Sequence, residues 1–388
     1  MDKKKLIITR KKNETTNNQL HHILNAERSN DLINNTNTIN LDTIPNQNII
    51  NPLLKYSINS LDYKQSILLI DTSYWVYYRF FALRNYYKKA NPTIEFTEDY
   101  KWLDDKIFMA KYEKMFLEGI FTIATMWNVP MSNVIFCIDC NYKDIWRYQY
   151  HNDYKGTRLE SHKKNGFNSF EIFNTVRNIY IPKLISKYNM SGVHIDHCEA
   201  DDIIGYLAPY LSQHLTNSKI ENIIIENQEN NIVDKTIPHI IILASDNDYI
   251  QICNEKVILV DGNGKQLCNE KKSIGNELYL IKKILSGDVS DNIPSCYILN
   301  SYLINIGIIK KADDEYRKCT PAIIEKIISH PNTYQQLQTI LYKLRQGHII
   351  SNNLFKDEQF INNARLIDFK MLPNHLHQEL ELISNKFL

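Results

Sequence analysis

With 388 residues, 43% of them hydrophobic, the chain can bury a sizeable core and reads as a soluble globular protein. Its 45 Lys plus Arg nearly cancel 44 Asp plus Glu, so a formal charge of +1 exerts no overall pull on nucleic acid or anionic lipid; any such affinity must come from local clusters. Seven Cys without repeated spacing argue against a disulfide framework, and the lack of an apolar N-terminal run or of an uninterrupted apolar stretch of about eighteen residues argues against secretion and a membrane span.

An intracellular location is therefore expected, with cytoplasm, nucleus and viral factory left unseparated. The basic runs Lys3-Lys4-Lys5 and Arg10-Lys11-Lys12 read as solvated charge rather than a nuclear signal. Residues 1 to 62 are rich in Asn, Thr, Ile and Lys and nearly free of aromatic residues, the look of a chain that cannot offset its ordering entropy, so a disordered leader is expected. Short apolar runs at Ile67 to Ile70, Val134 to Ile138, Val193 to Ile195, Ile240 to Ala244 and Val257 to Val260 read as buried strands. Amphipathic helical patterns lie between most of them, at Tyr112 to Trp127, Phe170 to Tyr188 and Asp201 to Leu215, while Asn85 to Asp105 reads as a mixed connection. This alternation predicts an α/β fold whose mainly parallel central sheet is flanked by helices, over residues 63–286. Within it, the Asn-rich stretch 217–235 reads as a surface insertion. From 287 to 388 the spacing becomes helical, broken at Pro294, Pro321 and Pro331, and an all-helical second region is expected.

Acidic residues recur at the predicted strand ends. Asp71 follows the first strand, Asp139 the second, and Asp246 and Asp248 the fourth, while the third leads into Glu199-Ala200-Asp201-Asp202 at the start of a helix. In a parallel sheet these positions share the carboxyl edge, where ligands bind. Each acid alone is explained by turn formation or by the helix dipole. Together they repel unless protonated or neutralised, and hard divalent cations with oxygen ligands are the natural neutraliser. Asp288 and Asp291, three apart before Pro294, add a further acidic element where the sheet region meets the helical one.

Between Asn141 and Phe170 the chain turns cationic and aromatic, with Lys143, Arg147, Lys155, Arg158, Lys163 and Lys164 among Trp146, Tyr148, Tyr150 and Tyr154. Cations suit phosphates, and flat side chains suit unstacked bases. Cys137-Ile138-Asp139-Cys140 has no second pair at zinc spacing, so it is not read as a metal or redox site.

The ordered blocks LLIDTSYWVYYRFF, IFCIDC, YKGTR, CEADDIIGYLA, LASDNDYIQI and LSGDVSDNIP resemble the 5'-3' exonuclease family, which includes the N-terminal domain of bacterial DNA polymerase I, phage exonucleases and, more distantly, flap endonucleases. The resemblance spans roughly residues 67 to 369. It implies a PIN-like core and a helix-hairpin-helix-type region that grips duplex DNA. It also implies two groups of carboxylates for two Mg²⁺ or Mn²⁺ ions: Asp71, Asp139, Glu199, Asp201 and Asp202 match the first, and Asp246, Asp248, Asp288 and Asp291 the second. The cationic stretch corresponds to an arch over the active site. There Lys155 and Arg158 are expected at the scissile phosphate as catalytic residues, and Tyr154, Lys163 and Lys164 as nucleic-acid contacts; Arg79, near Asp71 in sequence, is expected to hold phosphate as well.

The chain departs from the family after Pro294, where Ser295-Cys296-Tyr297 replaces a Gly-rich hairpin. That leaves a K⁺ site and the duplex grip without sequence support. No sliding-clamp signal ends the chain, and a monomer is expected. The leading reading is a DNA 5' nuclease of replication or repair, acting as 5'-3' exonuclease or 5'-flap endonuclease on DNA with a free 5' end. An RNA-directed nuclease acting on RNA:DNA hybrids and a non-catalytic DNA-binding homologue are the alternatives. Heavy use of Asn, Ile, Lys and Tyr suggests an A+T-rich genome such as that of a large DNA virus.

Overall fold

Aliphatic runs too short for helices and buried on both faces have one stable use, as inner strands of a covered sheet. The computed structural model describes residues 57–97, 100–156, 169–216, 235, 237–268, 276–350 and 354–388. The expected leader up to residue 56, the insertion 217–234 and the stretch 157–168 with Arg158, Lys163 and Lys164 lie outside the described residues.

Five strands, β1 (Ile67–Asp71), β2 (Val134–Ile138), β3 (Ser191–His194), β4 (Ile240–Leu243) and β5 (Val257–Val260), form one parallel sheet in the order β3-β2-β1-β4-β5. Successive side chains alternate between two cores. Leu68 and Ile70 face α1 (Thr72–Ala90), α2 (Lys106–Met126), α3 (Ser169–Thr175) and α4 (Ile181–Tyr188). Ile67 and Leu69 face α5 (Ala200–Ser212). The strand order reverses at β1, whose neighbours are β2 on one side and β4 on the other, so a crevice is expected at the carboxyl edge between β1 and β4.

Several boundaries differ from the sequence expectation for local reasons. Asp71 accepts a hydrogen bond from the Tyr74 N–H (2.9 Å) and starts α1 directly after the strand; Trp75, Val76, Phe80, Leu83 and Tyr87 then bury one face through Ala90, so part of the expected connection is helix. Asp105 caps α2 by accepting from the Phe108 N–H, placing its start well before Tyr112. The helical pattern Phe170 to Tyr188 is interrupted by a π turn, Val176–Tyr180. Residues 57–62, expected in the leader, run beside β3: the Gly192 N–H donates to the Ser57 carbonyl, and the Asn59 side chain donates to Met190.

Beyond the sheet, α6 (Asn276–Ser286), α7 (Asn300–Asn305), α8 (Pro321–Ser329), α9 (Pro331–Arg345) and α10 (Gln359–Ile367) build most of a third core around Ile284, Leu303, Ile327, Leu341 and Phe360. The region is helical but not wholly so. Residues β6 (Tyr297–Leu299) and β7 (Tyr316–Lys318) pair as an antiparallel ribbon. The last helix, α11 (Asn374–Ser384), returns to the sheet region, where Leu376, Leu380, Ile383 and Phe387 bury against α5. Each such side chain contributes about 1.5–3 kcal/mol when fully buried, which ties the C-terminal segment to the helix that carries Asp201. Among the described residues no helix is long and apolar enough to cross a membrane.

Candidate active site

A cavity of about 780 Å³ opens at the carboxyl edge and is lined by Asp71, Asp139, Glu199, Asp201 and Asp246 together with Lys155 and Arg177. Each acid arrives there by a short local device. Asp71 ends β1 and caps α1, so its carboxylate cannot turn away from the edge. Asp139 follows β2 and accepts from the Ala200 N–H at 2.8 Å and from the Ser73 hydroxyl, which ties it to the first turn of α5. Asp246 caps the 3₁₀ turn Asn247–Ile252 by accepting from the Asp248 N–H (2.9 Å). Asp201 sits on the first turn of α5, and the buried Tyr249 hydroxyl donates to its Oδ1 (2.8 Å) while also reaching Asp71 Oδ2 (3.3 Å).

Asp71, Asp139, Asp201 and Asp246 make no ion pair among the described residues. Burial, followed by the charges of Asp139 and Asp246, pushes the Asp71 carboxyl up to about 7. Asp201 is likewise raised well above the ordinary carboxylate range by burial; Lys155 offsets part of the effect, and Asp71, Asp246 and Glu199 add to it. Among the described residues no three His, Cys, Asp or Glu side chains already converge as a ready ligand set, so the acids ring the cavity rather than close on one point.

The other predicted ligands are differently placed. Asp202 does not line the cavity. It is held by the Arg147 guanidinium (2.7 and 3.0 Å), the Trp146 Nε1–H (3.0 Å) and the Glu199 N–H (3.0 Å), with three of the four bonds on Oδ2. Glu199 lines the cavity but pairs with the Lys155 ammonium (2.5 Å) and the Arg147 guanidinium (2.9 Å), and these cations outweigh burial and lower its pKa. Asp248 and Asp288 both hold Lys283 Nζ, the second at 2.8 Å, and neither lines the cavity. Asp291 accepts from the Tyr154 hydroxyl (3.1 Å) and lies 3.9 Å from Lys155 Nζ.

The cationic stretch is also sorted by the fold. Lys155, at φ 55°, is buried inside the cavity wall, and although burial opposes its charge, Glu199, Tyr154 and Asp291 hold its pKa well above the usual lysine value. Arg147 is 3% exposed and structural rather than a phosphate contact. Tyr154 is 2% exposed, with its hydroxyl on Glu199 and Asp291, so its ring is no open stacking platform. Arg79 does not line the cavity: its guanidinium lies 4.1 Å over the Trp75 ring and fills the space where a Cβ at Gly119 would collide. Tyr249, Lys283 and Arg177 were missed by sequence reasoning. Lys283 sits five residues ahead of Asp288 and could have been flagged by that nearness, as could Tyr249, which stands next to Asp248 in LASDNDYIQI; Arg177 carries no local signal. All seven cysteines are buried.

Fold and site together define a parallel α/β domain with an acidic carboxyl-edge cavity. A family model described as the N-terminal resolvase-like domain of 5'-3' exonucleases matches residues 66–279, more than half of the chain, and the protein belongs to that family. Among solved structures, the chain is similar to the 5'-exonuclease of bacteriophage T5 with bound zinc, at 13% identity and a TM-score of 0.48, covering 83% of this chain and 98% of that one. It is also similar to a bacteriophage T5 flap endonuclease in complex with DNA and metal ions, at 10% identity and a TM-score of 0.44, again covering 83% and 98%. No curated protein matches the chain.

Proposed function

We propose that the protein is a metal-dependent 5'-3' exonuclease and 5'-flap endonuclease that hydrolyses DNA phosphodiester bonds in replication or repair. The observation that carries this reading is the set of four carboxylates, Asp71, Asp139, Asp201 and Asp246, gathered at one cavity without a basic partner among the described residues. An all-oxygen set of this kind fits hard divalent ions such as Mg²⁺ or Mn²⁺, and the open ring leaves room for the waters that Mg²⁺ retains. Such ions supply Lewis acidity, activating water and neutralising charge at phosphorus.

The chain's own residues supply the rest. Tyr249 and the Ala200 N–H fix the directions of Asp201 and Asp139. Lys155 remains protonated at neutral pH and presents a fixed positive charge to a phosphate entering the cavity. A second ion would engage Asp248 and Asp288 only after Lys283 leaves them, so the first group is the primary metal site in this reading.

The test is side-by-side cleavage of 5'-flap DNA, RNA:DNA hybrid and single-stranded RNA with added Mg²⁺. Asp71→Ala and Asp201→Ala are each expected to lower flap-DNA cleavage by at least about 10³-fold, while DNA binding stays within a few-fold of wild type. Wild-type rates in either variant, at matched metal and enzyme, would remove the assignment; preference for RNA would move the substrate.

A further inference from the structure

The two cations in the cavity wall are differently committed. Lys155 is matched to Glu199, whereas Arg177 makes no ion pair among the described residues and donates only to the backbone carbonyl of Asp139. Arg177 comes from the π turn Val176–Tyr180, a local widening that changes which way the following side chains face and that is common at functional sites. Tyr77 and Phe173, whose rings meet edge-on at 5.1 Å, line the same cavity. A guanidinium carries five N–H donors, and one carbonyl does not satisfy them.

We propose that Arg177 binds a phosphodiester of the substrate strand beside the one that is cut, using the donors that Asp139 leaves free. A guanidinium matches phosphate geometry with paired hydrogen bonds. Because it also holds the main chain of Asp139, the contact couples strand position to the acidic ring. The inference rests on the nuclease reading and names a residue that positions its substrate. A free phosphate or a mononucleotide product offers the same anion, and the substrate series below separates these from a strand contact.

Arg177→Gln keeps a donor for the Asp139 carbonyl and removes the charge, while Arg177→Lys keeps the charge. With 5'-flap DNA and Mg²⁺, Arg177→Gln is expected to raise KM about tenfold and leave kcat within about threefold, with Arg177→Lys in between. A neutral methylphosphonate is then moved one position at a time along the strand. At one position the wild type should lose about tenfold and Arg177→Gln nothing further, a pattern that a purely structural role or a free-phosphate site does not give. Should Arg177→Gln not fold, the series is read on Arg177→Lys, where the position-specific loss should shrink. A wild-type KM in Arg177→Gln, or equal losses in wild type and variant at every position, overturns the inference. Wild-type protein that cuts none of the substrates overturns the nuclease reading instead, and binding of the same DNA series in Ca²⁺ still reads the Arg177 contact.

Discussion

Asp201 and Asp202 are neighbours on the first turn of α5, yet they stand in opposite electrostatic surroundings. Asp201 joins Asp71, Asp139 and Asp246 around a cavity where no basic side chain pairs with them among the described residues. Asp202 faces the layer beneath, where Arg147 clamps it together with Glu199, and Asp248 and Asp288 are closed on Lys283 in the same manner. The consequences diverge. Burial and mutual repulsion push Asp71 up to about 7, whereas Lys283 and Ser290 outweigh burial and hold Asp288 down at about 2. Acids supplied with a cation by the chain act as parts of the scaffold; of those denied one, Asp71 and Asp201 hold raised pKa values and, in the function proposed above, take their cation from outside. The comparison therefore separates a supporting layer from a working surface, although both are drawn from the same motif residues.

Removing the cation from the supporting layer should give the largest effect on stability. Arg147→Ala leaves Glu199 and Asp202 buried with lost partners, and it also removes the bond from Nε to the Leu366 carbonyl that links the core to α10. A loss of about 3–5 kcal/mol is expected in denaturant unfolding of the metal-free protein. A loss under about 1 kcal/mol would show that the layer is not held by this pairing and would break the comparison.

The working surface should respond in the opposite sense, to pH and to metal. The folded pKa of Asp71, about 7, lies above its ordinary value of 3.8, so the native state binds the proton more tightly. Its contribution to stability is thus full below about pH 4 and is lost as pH rises through 7. EDTA-treated protein should lose on the order of 2–3 kcal/mol from this group between about pH 5 and 8. Added Mg²⁺ should abolish much of that loss, and Asp71→Asn should flatten the profile. A flat profile in the metal-free wild type would mean that the acids are not crowded in solution as they are in the structure.

How much of this was legible in the sequence follows from the range of the interactions. The strands were readable because runs such as Ile67 to Ile70 are apolar on both faces, and the acids were readable because they recur at or just past the strand ends and at the start of the helix after the third strand. Partner choice was not. Arg147 lies in a run of exposed cations and aromatics such as Lys143 and Tyr150, and only folding brings it to carboxylates 52 and 55 positions later. Tyr154 and Trp146 look like stacking residues by type, yet their polar atoms are directed at Asp291, Glu199 and Asp202 inside the protein. Arg177 sat in a helical pattern whose π turn no period announces. The same limit applies to the C-terminal ribbon, since three-residue strands fall below any usable periodicity.

Lys283 offers the smallest expected effect and the sharpest test of the comparison, because it asks whether one kind of acid can be turned into the other. Its side chain and those of Asp248 and Asp288 are each less than a sixth exposed, so the arrangement is neither a surface pair nor a fully buried one. Lys283→Met should cost about 1–2 kcal/mol at neutral pH, between the ranges for exposed and buried pairs. The depressed pKa of Asp288 makes its share full above about pH 4 and lost as pH falls through about 2, so the acid limb of the wild-type stability profile should flatten in the variant. With the ammonium gone, Asp248 and Asp288 become acids without a partner, and Mn²⁺ should stabilise Lys283→Met more than it stabilises wild type. Calorimetric titration of both proteins with Mn²⁺ reads this directly. Equal metal uptake and equal metal stabilisation would show that the lysine does not decide which acids await an ion.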